Sequence, residues 1–232
     1  MKIGLLEAEN LKPEIIKTYG SYANMTARLL QAVKADLSFQ TYPVINGGYP
    51  DTIDECDAYL ITGSKASAYD DDDWITQLEN YIQTLVYKQK KLIGICFGHQ
   101  LIAQALGGKV AKSDKGWGVG VMNSQILLEK PWMTPYQPSF SLLVSHQDQV
   151  AELPVSAERI ASNEHCLNSS YLIGQHVLSF QGHPEFSVDY ARQSMEGRRE
   201  LIGEERYQQR LKSLADQTDH LLVAKWIVNF LR

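Results

Sequence analysis

Short apolar runs alternate with longer segments of helical period through the first hundred residues of the chain. Lys2 to Leu6, Ser38 to Val44, Ala58 to Thr62 and Lys91 to Ile95 read as strands, while Ala23 to Lys34 and Trp74 to Lys88 read as helices. In the second helix Ile75, Leu78, Ile82 and Leu85 recur at threes and fours, which sets them on one buried face. Strand and helix in turn predict a parallel sheet with crossover helices. Asp71 to Asp73 stand just before that helix, where carboxylates cap free amides and complement the helix dipole; a solvated cap is the reading preferred over a metal site.

After Gly107-Gly108 the pattern changes. Gly116-Trp117-Gly118-Val119-Gly120 precedes Val121 to Leu128, and strands and turns run on to about Phe180. These glycines do not follow a strand and open a helix, so they read as a β-turn and not as a dinucleotide fingerprint. From Ser187 to Arg232 two or three helices are expected, the last carrying the amphipathic Leu221 to Val228. No internal repeat, low-complexity tract or linker interrupts the 232 residues, so one domain over residues 1–232 accounts for the length.

Composition narrows the function classes. A net charge of −5 gives no electrostatic reason for a nucleic-acid partner, which leaves a small molecule as the expected one. The N-terminus carries Glu7 and Glu9 too early for a signal peptide, and no apolar run approaches the ~20 residues of a membrane span, so a cytoplasmic protein without membrane contact is expected. Cys56, Cys96 and Cys166 are too few and too scattered for a disulfide framework, and none belongs to a CxxC pair. They are read singly as thiols, and neither metal nor cofactor is expected.

The segment Gly94-Ile95-Cys96-Phe97-Gly98 follows a buried strand and leads into a helix with Leu101, Ala105 and Leu106 as its apolar stripe and Gly107 as its stop. Strand, sharp turn and helix hold a nucleophile in a strained conformation above a sheet, with glycines on both sides removing Cβ atoms that would clash. A thiol at a helix N-terminus is favoured as thiolate by the dipole, and the N–H of Phe97 is placed to meet the oxygen of an attacked carbonyl. The alternative, a small buried residue in a tight turn, would suit a lone cysteine better than one flanked by both glycines. The loop Thr62-Gly63-Ser64 ends another buried strand in small residues, so the amide of Gly63 or Ser64 is the candidate second oxyanion donor.

A cysteine nucleophile needs a base held in one tautomer. His183 closes an apolar strand in Gly182-His183-Pro184-Glu185, and Pro184 restricts the backbone so that His183 and Glu185, two apart, project to one side. Glu185 can then accept from one ring nitrogen while the other faces Cys96. His99 falls inside the helix after the nucleophile and is assigned to packing, and His165, His176 and His220 lack a carboxylate at a fixed spacing. His146, in Ser145-His146-Gln147-Asp148 at a strand end, suits either a substrate-contacting loop or a plain turn.

Together, Gly94-Ile95-Cys96-Phe97-Gly98-His99-Gln100 and Gly182-His183-Pro184-Glu185 resemble the signatures of class I glutamine amidotransferases, over about residues 40 to 190. Within that class the chain looks closest to the glutaminase domain of GMP synthases and to free-standing gamma-glutamyl peptidases, and Gly182 before the histidine favours the latter. The resemblance implies an α/β, flavodoxin-like fold: a mostly parallel central sheet with flanking helices plus a smaller antiparallel β section. It further implies attack of Cys96 on a glutamine side-chain amide or γ-glutamyl bond, a γ-glutamyl thioester, and roles for Gln100, His146 and Gln147 in holding the glutamyl group. The 232 residues hold no P-loop motif, and no second domain to use ammonia is expected. Either the chain is a hydrolase in its own right, or a separate synthetase docks, or a regulatory module has kept the fold without the chemistry.

Overall fold

The computed structural model describes residues 1–232. Its first half follows the expected alternation: β1 (Lys2–Leu6), α1 (Pro13–Tyr19), α2 (Tyr22–Val33), β2 (Ser38–Tyr42), β3 (Ala58–Ile61), α3 (Asp73–Tyr87), β4 (Lys91–Ile95) and α4 (Phe97–Ala105). Then come β5 (Lys109–Lys112), β6 (Gly118–Ile126), β7 (Ser139–His146), β8 (Asp148–Glu152), β9 (Ala157–Ser162), β10 (Ser170–Ile173) and β11 (Val177–Phe180), followed by α5 (Val188–Glu196), α6 (Arg199–Ile202), α7 (Glu204–Lys212) and α8 (His220–Leu231).

Nine strands form one sheet in the order β2-β1-β3-β4-β11-β10-β9-β6-β7, and β5 with β8 forms a separate antiparallel pair. The half from β2 to β11 is parallel, and β11 onward is antiparallel. The fold is thus α/β and flavodoxin-like. Alternation along the central strands sorts the core onto two faces. Leu5, Leu60, Ile93, Leu178 and Phe180 pack on one side with Trp226 of α8, while Leu6, Ile61, Leu92 and Val177 pack on the other with Leu78 and Ile82 of α3 and Leu101 of α4. β4 lies between β3 and β11, so the chain segments that leave the C-terminal ends of these three strands are neighbours. No helix is long and apolar enough to cross a membrane.

Four details differ from the pattern-based expectation. Helix α1 was not foreseen; none of its seven residues is fully buried, and only Ile15 and Tyr19 are half-buried against the core. Asp72 is the N-cap of α3 but its side chain makes no capping bond; Asp70 instead accepts the Ser67 N–H at 2.8 Å. The run Gly116 to Gly120 is only partly a turn, because β6 already begins at Gly118. Gly120, inside that strand at φ 80°, allows Ser213 to lie where a Cβ would be 2.3 Å from its Oγ. The C-terminal part forms four α-helices in place of two or three, with Gly203 (φ 85°) separating α6 from α7.

Candidate active site

Cys96 stands between β4 and α4 at φ 51°, ψ −102°, a region costly for a residue with a side chain. The surroundings leave the backbone no alternative. The Cys96 N–H donates to Phe180 O at 2.9 Å, Gln100 N–H donates to Cys96 O at 3.0 Å, and a Cβ on Gly94 would stand 2.7 Å from Gly98 O. A Cβ on Gly98 would stand 2.5 Å from Ile61 O, so both glycines are required by close backbone approach. Gly107, at φ 86°, follows α4 as expected for a helix stop.

His183 leaves the end of β11 beside this turn. Its N–H donates to Leu143 O at 2.8 Å, which ties it to β7, and its ring stacks on Phe186 with centroids 3.8 Å apart. Nδ1 lies 2.8 Å from Glu185 Oε1, with both side chains buried. Burial alone would push the His183 imidazole down, but the adjacent Cys96 sulfur and the Glu185 carboxylate together outweigh it and raise it well above the ordinary histidine value. The Cys96 sulfur and the Glu185 carboxylate thus favour the protonated form of the ring.

Gly63 follows β3 and borders both groups: a Cβ there would lie 2.9 Å from His183 Cε1 and 3.7 Å from Cys96 Cβ. The N–H groups of Gly63, Ser64 and Phe97 donate to no backbone acceptor. Three ties fix the Gly63-Ser64 loop: Ala8 N–H donates to Thr62 Oγ1 at 3.0 Å, Lys65 N–H donates to Glu9 Oε2 at 2.8 Å, and Ser67 Oγ donates to Asp148 Oδ2 at 2.5 Å.

A cleft of about 860 Å³ opens over Cys96, lined among others by Ser64, Gln100, His146, Gln147 and Arg198. Gln100 donates both N–H bonds of its amide inward, to Asp148 O at 2.7 Å and to Gln181 Oε1 at 3.1 Å. His146 turns Nδ1 to Asp148 O at 2.9 Å, while Gln147 accepts the Ser113 N–H through its backbone. His99 is fully buried against Tyr171 and 2.9 Å from Ser179 Oγ, whereas His165 packs on His146 and His176 and His220 lie elsewhere on the chain. No three His, Cys, Asp or Glu side chains are grouped as a metal site would need.

Pattern reading missed Glu9, Asp148 and Gln181 as parts of this site. Gln181 was within reach, because it stands two residues before His183 in the segment that leaves the end of β11. Glu9 carried no signal, since its burial depends on a loop 56 residues away.

The matching family model is glutamine amidotransferase class-I, over residues 14–198. Gamma-glutamyl peptidase 3 of Arabidopsis thaliana is 33% identical over 227 residues, which is 93% of this chain and 90% of that protein. The glutamine-hydrolyzing GMP synthase of Pyrobaculum aerophilum is 28% identical over 173 residues, 74% of this chain and 32% of that protein. In fold, a glutamine amidotransferase of Thermotoga maritima matches with a TM-score of 0.77 at 16% identity, covering 99% of this chain and 95% of that one. The chain belongs to the class I glutamine amidotransferase family.

Proposed function

We propose that the chain is a free-standing cysteine hydrolase of γ-glutamyl amide bonds, with Cys96 as nucleophile, His183 as general base and acid, and Glu185 as the group that orients His183. The observation that carries this reading is the strained turn at Cys96 set beside a buried His183 whose Nδ1 is held 2.8 Å from Glu185 Oε1. In that position His183 takes the thiol proton and holds it as imidazolium beside the thiolate, and the sulfur attacks the γ-carbonyl carbon. The Gly63, Ser64 and Phe97 N–H groups receive the carbonyl oxygen as it gains charge. When the C–N bond breaks, His183 gives its proton to the departing nitrogen and a γ-glutamyl thioester remains. Water, deprotonated by His183, then attacks the thioester carbon; the C–S bond breaks, glutamate leaves and the thiol is restored.

Gln100 fits a defined part in binding. With both its N–H bonds spent inward, only Oε1 is left to meet a ligand, and an acceptor suits the α-ammonium of a glutamyl group. His146 and Gln147 line the same cleft and complete the proposed glutamyl site. A cleft of about 860 Å³ is near the upper end for a whole small ligand, so a γ-glutamyl compound larger than glutamine suits it. Correspondence along nearly the whole of the Arabidopsis peptidase supports action without a second domain. The match to one third of a GMP synthase supports a second reading, a subunit whose site serves a separate synthetase. Three buried, unpaired thiols suit a reducing compartment such as the cytoplasm.

The test is release of glutamate from a panel of γ-glutamyl peptides and from glutamine by purified wild type and Cys96→Ala. Steady turnover of the peptides, absent in the variant, is expected; silence on every substrate contradicts the hydrolase reading, and activity appearing only with an added synthetase favours the second.

A further inference from the structure

Gln181 directly follows β11, two residues before His183, and is 1% exposed, and its Nε2 lies 3.6 Å from Cys96 Sγ. The direction of its hydrogen bonds is determined by its neighbours. Asp148 O is a carbonyl and can only accept, so the nearby atom of Gln100 must be its N–H donor. The other N–H of that same nitrogen meets Gln181 at 3.1 Å, which therefore presents Oε1. Nε2 of Gln181 is then turned to the sulfur and cannot be exchanged with the oxygen without setting two acceptors, or two donors, face to face. A polar chain thus runs from Asp148 O through Gln100 and Gln181 to Cys96 Sγ.

A buried carboxamide satisfied on both ends could serve packing alone. What separates Gln181 from such a group is its donor's target, the atom that changes charge during the reaction. An N–H bond to a thiolate is charge-assisted and stronger than one to a neutral thiol or thioester. We propose that Gln181 is a further catalytic residue, whose amide N–H stabilises the Cys96 thiolate both before attack and when the sulfur is expelled from the thioester. Gln100 is, in addition to any contact with ligand, the positioning residue that keeps the Gln181 amide in this orientation. The inference goes beyond the hydrolase reading and concerns the thiol itself, so it can be tested without a γ-glutamyl substrate.

The test is the pH dependence of Cys96 alkylation by iodoacetamide, followed by intact-mass measurement on the full chain, for wild type, Gln181→Leu, Gln181→Glu and Gln100→Leu. A charge-assisted donor lost from a buried site moves the midpoint of the alkylation profile upward by roughly one to two pH units in Gln181→Leu. Gln181→Glu keeps the acceptor for Gln100 and the side-chain size while removing the donor, and is expected to move the midpoint at least as far. Gln100→Leu is expected to give a smaller shift in the same direction. Gln181→Glu carries the test if Gln181→Leu does not fold. An unmoved midpoint in a folded Gln181 variant, judged by its thermal unfolding, overturns the proposal. Shifted midpoints together with failure to hydrolyse any γ-glutamyl compound would leave this proposal standing and remove the hydrolase reading instead.

Discussion

His183 and Glu185 are two residues apart, and the Nδ1 of one stands 2.8 Å from the Oε1 of the other with both side chains buried. Pro184 between them restricts the backbone, so the contact is built locally and then closed off by Phe186 stacked on the imidazole. The second oxygen, Glu185 Oε2, has no partner and is buried, so the carboxylate is committed to the ring.

Glu185→Gln therefore replaces the acceptor by an amide that fits either tautomer of the ring and no longer favours imidazolium. The expected result is a fall of roughly 10²–10⁴-fold in kcat with KM little changed, measured as glutamate release from a γ-glutamyl peptide. A variant within threefold of wild type would contradict the assigned role.

Gly63→Ala places a methyl group 2.9 Å from His183 Cε1. That is too close for the ring to stay where it is, and displacement of a reacting group by about 1 Å costs on the order of 10²-fold in rate. Activity should drop by that order while the thermal unfolding midpoint changes little, because the loop itself is anchored elsewhere, through Thr62, Lys65 and Ser67. Equal loss of stability and activity would point to a general structural effect.

Stability should fall in mild acid because two buried histidines, His99 and His146, resist protonation in the fold. His99 and His146 are pushed down to about 3 by burial, with positive charge on nearby histidines adding to it. Each stays neutral in the fold but takes a proton once unfolded near the ordinary value of 6.5, so the stability it contributes is present above that value and is lost as pH falls toward 3. The loss approaches about 1.4 kcal/mol per pH unit for each ring within that window. Between about pH 6 and pH 5, where carboxylates stay charged, the urea midpoint of wild type should decrease more steeply than that of His99→Asn. Parallel slopes would contradict it.

How much of this was legible in the sequence follows from how local each feature is. The turn at Cys96 could be read because a positive φ beneath a close backbone approach demands the glycines at 94 and 98, and they flank it in sequence. The His183 and Glu185 pair was readable for a similar reason, a spacing of two fixed by a proline. By contrast α1 spans only seven residues and sets just Ile15 and Tyr19 half-buried against the core, too short a pattern to announce a helix. The Asp71 to Asp73 run looked like a cap, yet the side-chain bond was made by Asp70 to Ser67 in the preceding loop, a choice of turn geometry that composition does not reveal. Glu9 and Asp148 anchor the Gly63-Ser64 loop from 56 and 81 residues away, and their role exists only once the fold brings the ends of β1 and β3 and the start of β8 together.

The most direct measurement of the central claim is intact-mass spectrometry after incubation with a glutamine-analogue electrophile, on wild type, Cys96→Ala and His183→Ala. One adduct at Cys96, absent in Cys96→Ala and formed much more slowly in His183→Ala, is the predicted result. No adduct on the folded wild-type protein, or one formed at Cys56 or Cys166 at an equal rate in all three, would contradict a γ-glutamyl site built on Cys96.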